Sequence, residues 1–236
     1  MDNIGYTTLT RQSGLMREMQ VVANNIANMS TTGFRREGVI FSEHVARLDD
    51  DPSLSMAQGH TRSVDLEQGG LTTTRGTFDF AIQGEGFFQV ATPDGPRLTR
   101  AGSFTPSSTG ELVNMDGHLV LDGGGAPIFI PPDGGTISLG SDGTLMAGNT
   151  PIAQVGLWQP ADPLTLRHQG GTLFSADGLE PAADATIFQG MLEGSNVQPV
   201  AEISRMITVQ RAYELGQKLL DSEDARVRGV IQTLGR

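Results

Sequence analysis

Residues 22–35, VANNIANMSTTGFR, mark the point where one kind of structure ends and another begins. Asn24, Asn25 and Asn28 lie within about one helical turn, although asparagine is a poor helix former. The small polar residues that follow lead to Gly33, which can take the positive φ typical of a helix end. Two interpretations stay open: the asparagines belong to a frayed helix end, or they form a polar patch that hydrogen-bonds the backbone of a neighbour.

The residues before this stretch predict an amphipathic helix. Apolar side chains recur there in steps of three and four, and Gln12 fills the one gap in the series. This spacing places them in a narrow stripe on one helix face, which suits a seam between helices. The stripe contains Leu9, Met16, Met19, Ala23 and Ile26.

The C-terminal residues repeat this pattern over more than four heptads. Ser195 or Asn196 can cap the start of this second helix. Polar positions within the stripe cost stability but can fix register or partner number. Either this helix lies on the core of its own domain, or it pairs with the first helix or with another subunit. Its stripe contains Ile203, Met206, Gln210, Tyr213, Gln217, Leu220, Asp224, Val227, Ile231 and Leu234.

The region between the helices alternates short apolar runs with turn signals. Residues 78–82 lead to Gly84, and residues 86–90 lead to a Pro-Asp-Gly-Pro turn. Asp-Gly between apolar runs indicates hairpins, because two-residue turns need positive φ. This pattern predicts an antiparallel sheet or a small barrel. Residues 49–70, which begin with a solvated acidic run, are polar without helical periodicity and predict a linker or an extended arm.

The composition excludes several classes of protein. The net charge of the 236 residues is -11, and residues 30–197 hold 20 acidic against eight basic side chains, so binding of nucleic acid through bulk charge is disfavoured. There is no cysteine, which excludes disulfides and thiolate chemistry. No apolar run is long enough to span a membrane, and the opening residues lack the features of a cleaved signal peptide.

No enzymatic constellation emerges from the sequence. None of the four histidines lies at metal-ligand spacing to another. The Gly84-Glu85-Gly86 segment resembles the start of a dinucleotide-binding loop, but the third glycine is missing and no helix pattern follows. We therefore expect no catalytic, metal or cofactor site.

Four stretches of the chain resemble the sequence boxes of the bacterial flagellar rod and hook proteins. Residues 22–35 resemble the ANNIANxxTxGF box, and three further boxes follow in the same order within residues 70–88, 98–113 and 192–214. Within this family the opening residues and the short length resemble the proximal rod subunits most, with distal rod or hook subunits as the alternative. The box positions singled out are Gly33, Phe34, Gly84, Gly86, Phe87, Phe88, Ser195, Asn196 and Val197.

The resemblance implies an α+β fold. The two helices would pair as a coiled-coil-like axial domain of residues 1–32 with 197–236. Residues 33–74 would form an extended connecting arm, and residues 75–196 would form a central all-β domain, an antiparallel sheet or barrel-like structure. The assembly surface would then consist of Leu9, Met16, Met19, Ala23, Asn24, Asn25, Ile26, Asn28, Ile203, Met206, Gln210, Tyr213, Leu220, Val227 and Ile231.

The resemblance also implies a structural role without cofactors. Such subunits stack helically into the periplasmic drive shaft of the flagellar basal body, which transmits torque and encloses an export channel. The implied partners are copies of itself, the proximal rod subunits FlgB and FlgC, the distal rod subunit FlgG, the rod cap and the flagellar type III export apparatus. A secreted β-rich binding module is the alternative from another class.

Overall fold

The computed structural model describes residues 2–46 and 54–234, with side chains at 8–40 and 63–233. Helix α1 spans Asp2–Ala27 and helix α2 spans Pro199–Leu234, close to the two helices that the sequence predicts. The described region between them is rich in antiparallel β-structure, so the coarse α+β prediction is confirmed. The chain divides into two compact units.

The helical unit consists of Met1–Ala27, Glu37–Ser63 and Gln198–Arg236. Strands β1 (Glu37–Ala46) and β2 (Leu54–Val64) form a two-stranded sheet. Much of the segment predicted as a linker or an extended arm therefore forms paired strands. The polar sequence, which has no helical periodicity, did not indicate these strands. The acidic run at 49–51 lies outside the described residues.

Helices α1 and α2 contact each other in antiparallel orientation. Gln12 Nε2 donates to the carbonyl oxygen of Tyr213 at 3.0 Å, and Arg205 forms an ion pair with Glu18 at 2.8 Å. Gly216 leaves room for this approach, because a Cβ there would lie 2.6 Å from Gln12 Nε2. Neither helix, over its described residues, has the stretch of apolar sequence that a bilayer crossing needs.

The β unit consists of Asn28–Arg36 and Val64–Val197. Its strands are short, as turn signals at close intervals require. In chain order they are β3 (Leu71–Thr73), β4 (Phe80–Gln83), β5 (Phe87–Thr92), β6 (Gly95–Thr99), β7 (Phe104–Pro106), β8 (Leu112–Asn114), β9 (Leu119–Val120), β10 (Ile137–Leu139), β11 (Thr144–Ala147), β12 (Thr150–Gln154), β13 (Leu157–Pro160), β14 (Arg167–His168), β15 (Leu173–Ser175), β16 (Leu179–Pro181), β17 (Thr186–Gln189) and β18 (Met191–Glu193).

The largest sheet of this unit is open. Its main path runs β14-β15-β6-β5-β9-β8-β7, and β13 joins it through β5 and β16. The remaining described strands form a three-stranded sheet of β10–β12 and two pairs, β17 with β4 and β18 with β3. The barrel-like alternative is therefore wrong for the described strands, because their pairing ends at free edges and never closes.

Strand β5 separates two apolar clusters. Successive side chains of a strand point to opposite faces, so Phe88 enters the main core beside Phe80 and Phe104, and Phe87 packs with Leu98 and other side chains of a smaller core. Phe88 contacts Phe104 edge to face with ring centroids 5.3 Å apart. The Phe87-Phe88 pair of the central box therefore anchors both cores of the β unit.

Gly102 permits the closest backbone approach in the main core. A Cβ at this position would overlap the carbonyl oxygen of Phe80, and the amide of Phe80 donates to the carbonyl of Gly102 at 2.9 Å. Gly70 offers a matched comparison in the same unit, because a Cβ there would meet no atom within 4 Å.

We expect Gly102→Ala to lower the free energy of unfolding of the β unit by about 3 kcal/mol, because the overlap pushes the Phe80 backbone away from residue 102 and breaks the hydrogen bond between them. Gly70→Ala should change it by less than about 0.5 kcal/mol. Urea unfolding followed by Trp158 fluorescence measures both. Equal stability of the two variants would show that the backbone shifts at no cost.

Candidate functional site

Asn25 is fully buried where helix α1 approaches strand β1. Its Oδ1 accepts from the amide of Glu37 at 2.9 Å, and its Nδ2 donates to the carbonyl of Glu37 at 2.9 Å. The side chain thus makes the two bonds that a paired strand residue would make. The same Nδ2 also lies 3.3 Å from Glu202 Oε2 on helix α2, so one amide joins three elements of the helical unit.

The other two asparagines of this box also bond within the chain. Asn24 Nδ2 donates to Glu37 Oε2 at 3.3 Å. Asn28 lies just beyond the helix end, where its carbonyl accepts from the amide of Thr31 and its Oδ1 accepts from the Thr31 hydroxyl. Helix α1 remains regular to Ala27, which contradicts the interpretation of a frayed end.

The predicted stripes of α1 and α2 are only partly buried. The buried side chains of the helix pair include Val22, Asn25, Glu202 and Val209, which lie one position before a stripe residue. Polar side chains occupy this face because their hydrogen bonds are satisfied there, and an apolar pattern could not locate them. Of the stripe positions, Gln12 is buried; Met19, Ile26, Met206, Tyr213 and Leu220 are half-buried; and Leu9, Met16, Ala23, Ile203, Gln210, Gln217, Asp224, Val227 and Ile231 are exposed.

Glu193 is the centre of a buried ion-pair cluster in the β unit. Its Oε1 lies 2.9 Å from Arg35 Nη2, and its Oε2 lies 3.1 Å from Arg100 Nη1. All three side chains are almost completely buried, at 1–2 % exposure. Burying a charge is costly unless it is paired, so this cluster requires all three segments to be in place together.

Backbone groups complete the coordination of the cluster. Glu193 Oε1 also accepts from the amide of Gly69 at 2.9 Å, and the carbonyl of Glu193 accepts from the amide of Gly33 at 2.8 Å. Arg35 Nη1 donates to the carbonyl of Glu67, and Arg100 Nη2 donates to that of Gly84 at 2.5 Å. The cluster therefore joins the first box, the segment before β3, the central boxes and the last box.

Burial is the largest influence on the pKa values of Arg35 and Arg100. It lowers the pKa of Arg100 to about 10, against the attraction of Glu193, so the guanidinium stays charged at neutral pH. Burial also lowers the pKa of Arg35, again opposed by Glu193. The nearby Asp65 carboxyl is partly desolvated, but the Glu67 amide and Arg36 outweigh this cost and hold its pKa below the usual range.

Asn196 forms a second link between the first and last boxes. Its Oδ1 accepts from the amide of Arg36 at 2.6 Å, and its Nδ2 donates to the carbonyls of Asp65 and Glu67. Its backbone amide donates to the carbonyl of Phe34 at 3.4 Å, and the Phe34 ring is fully buried. The ends of the β unit are therefore held side by side.

The remaining box residues shape the backbone around these links. Gly33, Gly84 and Gly86 have positive φ, and a Cβ at Gly33 would overlap the backbone of Ala101. Ser195 Oγ accepts from the amide of Val197 at 3.3 Å, and the Val197 side chain is buried. Within the ranges that the structure describes, no three His, Asp or Glu side chains gather closely enough to hold a metal ion.

Three charged residues of this site were not singled out from the sequence. Arg35, Arg100 and Glu193 lie far apart in the chain, and charged side chains are usually solvated. The available signal was their position inside three of the four boxes that resemble the family.

Comparison with known protein families matches three parts of the chain. The model described as flagella basal body rod protein matches residues 6–35. The flagellar hook protein FlgE/F/G D1 domain matches residues 81–147, and the C-terminal model of the flagellar basal body rod FlgEFG proteins matches residues 189–232.

Whole-chain relatives agree with these matches. The chain is 40 % identical to the flagellar basal-body rod protein FlgF of Caulobacter vibrioides, over 100 % of this chain and 99 % of that protein. It is 37 % identical to FlgF of Mesorhizobium japonicum, over 98 % and 97 %. FlgG of Caulobacter vibrioides is 30 % identical, over 94 % and 97 %. The chain belongs to the flagellar basal-body rod protein family. The prediction of a structural rod protein rather than an enzyme is thereby confirmed.

The ion-pair cluster takes one residue from each of the three family matches. Arg35 is the last residue of the first match, Arg100 lies in the second and Glu193 in the third. Parts of the rod protein that match separate family models are thus held together by one carboxylate.

We expect Glu193→Gln to lower the free energy of unfolding of the β unit by about 3–5 kcal/mol, because it removes the one carboxylate that both buried guanidiniums contact. Glu180→Gln, an exposed glutamate of the same unit, should change it by less than about 0.5 kcal/mol. Urea unfolding measures the difference. Comparable stability of both variants would mean that water solvates the arginines.

We expect Asn25→Asp to destabilise the helical unit despite its unchanged size. The carboxylate cannot donate to the Glu37 carbonyl, and it adds a charge beside Glu202, at a cost of about 2 kcal/mol or more. Asn149→Asp, in an exposed turn, is the control. Hydrogen exchange of the backbone amides along helix α1 should accelerate only in the first variant; equal protection in both would contradict this account.

Proposed function

We propose that this chain is an FlgF-type subunit of the proximal rod. The full-length identity of 40 % to FlgF of Caulobacter vibrioides, against 30 % to FlgG of the same organism, carries this assignment. A distal rod subunit is the second candidate, because relatives named FlgG also match over most of the chain.

Expression of this chain in two strains, one lacking FlgF and the other lacking FlgG, tests the choice between the two candidates. We expect motility to return only in the strain without FlgF.

The helix pair supports a coiled-coil-like axial domain built from residues 1–32 and 197–236. The two helices lie antiparallel, and half-buried stripe residues such as Met19, Met206 and Leu220 belong to their shared region. Residues 33–74 serve as the connecting arm and residues 75–196 as the central β domain. In this proposal the arm contains the β1–β2 pair.

Helix α2 is longer than its partner within the chain. Gln12 lies level with Tyr213, so the start of α1, ten residues earlier, falls near position 223 of α2. Residues 224–234 therefore extend past α1 by about 16 Å at ~1.5 Å per residue. Val227, Val230 and Ile231 are exposed on this extension.

The exposed apolar side chains supply the assembly surface in this proposal. Leu9, Met16 and Ile203 are 42–57 % exposed although they lie on helices, where exposed positions are usually polar. Burial of such side chains between subunits is worth ~25 cal/mol per Å² of apolar surface, less the cost of ordering the chains. We propose Leu9, Met16, Ala23, Ile203, Gln210, Val227 and Ile231 as contact positions.

The proposed partners are those of a proximal rod subunit. They are copies of this chain, the proximal subunits FlgB and FlgC, the distal subunit FlgG, and the rod cap and flagellar type III export apparatus during assembly. The family places the chain in the basal-body rod; we propose that it reaches the periplasmic part of the rod by the type III route without a cleaved signal peptide. The assembled subunits transmit torque and enclose the export channel.

We expect Ile231→Asp to block incorporation into the rod and abolish motility while the β unit stays folded, because a charge would enter a subunit contact. Gln232→Asp adds the same charge one position along, where the native side chain is already exposed and polar. Basal-body fractionation and swimming assays provide the readout. Normal incorporation of the Ile231→Asp protein would show that this helix face is not part of the assembly surface.

A further inference from the structure

Six Asp-Gly pairs occur in the chain, and all of them lie in the β unit. In such a pair the backbone amide nitrogen of glycine can attack the side-chain carboxyl carbon of aspartate, because glycine has no Cβ to obstruct the approach. The reaction requires a carboxyl and an amide that other bonds do not hold in place. The pairs are Asp94-Gly95, Asp116-Gly117, Asp122-Gly123, Asp133-Gly134, Asp142-Gly143 and Asp177-Gly178.

Hydrogen bonds from nearby donors hold the carboxyls of Asp122 and Asp142. Asp122 Oδ1 accepts from the amides of Gly124 and Ala126, each at 2.8 Å. Asp142 accepts from the amide and the hydroxyl of Thr144 at 3.0 and 2.8 Å, and these bonds hold the pKa of its carboxyl below the usual range. An ionised carboxylate bonded in this way is a poor electrophile, so attack on it is slow.

The glycine is also held in five of the six pairs. Gly95 opens strand β6 and pairs with Thr92 in the hairpin with β5, and the Thr92 hydroxyl donates to the Gly95 carbonyl at 2.7 Å. A glycine held in this way cannot turn its nitrogen toward the carboxyl until such contacts break. The other four donate their amides to carbonyl oxygens at 2.9–3.1 Å: Gly117 to Asn114, Gly123 to Gln154, Gly134 to Pro131, and Gly143 to Gly140.

The sixth pair, Asp177-Gly178, has neither restraint. Within the part of the chain that the structure describes, the Asp177 carboxyl and the Gly178 amide form no hydrogen bond, and both residues are exposed. The bonds of this turn use other groups: the Asp177 amide donates to the Thr165 hydroxyl at 3.3 Å, and the Gly178 carbonyl accepts from the amide of Ala161 at 3.2 Å. The two groups that must react are therefore free.

We propose that Asp177 is a modification site, at which the folded chain converts aspartate to isoaspartate without an enzyme. The Gly178 nitrogen bonds to Asp177 Cγ, and the amide proton leaves with the carboxyl OH as water, which closes a five-membered imide. Water then adds to the Asp177 backbone carbonyl carbon and breaks its bond to the Gly178 nitrogen. The water lost in the first step is regained in the second, so the product is an isomer of unchanged mass.

Isoaspartate at this position alters the start of strand β16. The main chain then runs through Cβ and Cγ of residue 177, which adds one methylene and leaves a carboxylate on Cα. Leu179 lies two residues on and pairs with Pro160 of strand β13. The added length displaces the Gly178 carbonyl from the amide of Ala161. The modification therefore loosens the pairing of β13 with β16.

The site is tested by incubating the full-length chain at neutral pH in native buffer. Isoaspartate is located by peptide mass spectrometry and totalled by labelling with isoaspartyl methyltransferase. It should form at residue 177 at least about fivefold faster than at the other five pairs, because each of those must first break contacts of its own. Equal or faster formation at another pair, or none at residue 177, would overturn the proposal.

Two variants and an unfolded control separate the structural cause from the local sequence. Asp177→Glu needs a larger ring and should remove most of the total label, whereas Asp94→Glu, in another exposed turn, should leave it unchanged. In urea the restraints on the other pairs are lost, so all six should react at similar rates. A total label unaffected by Asp177→Glu, or the same preference for residue 177 in urea, would show that the fold does not select this site.

Discussion

The carboxylate of Glu193 constrains the β unit because it joins segments that lie far apart in the chain. It must face Arg35 and Arg100 at once, and its own backbone carbonyl must meet the amide of Gly33. Buried ion pairs add little net stability compared with apolar packing, but removal of one partner is severe. Here the ion pairs determine which segments of the chain lie next to each other. They require the segments at the two ends of the β unit to be adjacent.

Asn25 plays a comparable role in the helical unit with a neutral side chain. Asparagine presents a donor and an acceptor on one short side chain, which lets it replace a paired strand at Glu37. Aspartate lacks the donor, and glutamine places the amide one methylene further out. The two units thus share a feature: a buried polar side chain bonds backbone atoms of another segment and so fixes where that segment lies.

The same feature explains what the sequence could and could not predict. Helices α1 and α2 follow from residue spacing, and the β-rich centre follows from its turn signals. The face that α1 and α2 bury against each other lies one position away from the predicted stripes, because the polar residues Asn25 and Glu202 belong to it. Arg35 and Glu193 are separated by more than 150 residues, so only the folded chain shows that they pair. Local patterns report local structure, and these contacts are long-range.

The acidic composition also has a local structural cause. Asp142 Oδ1 accepts from the amide of Thr144, a bond that holds the pKa of this exposed carboxyl below its usual range. Asp122 accepts from the amides of Gly124 and Ala126, and Asp162 accepts from that of Leu164. Aspartate is favoured in such turns because its side chain bonds an amide two residues ahead. Part of the excess negative charge therefore follows from the number of tight turns in the β unit.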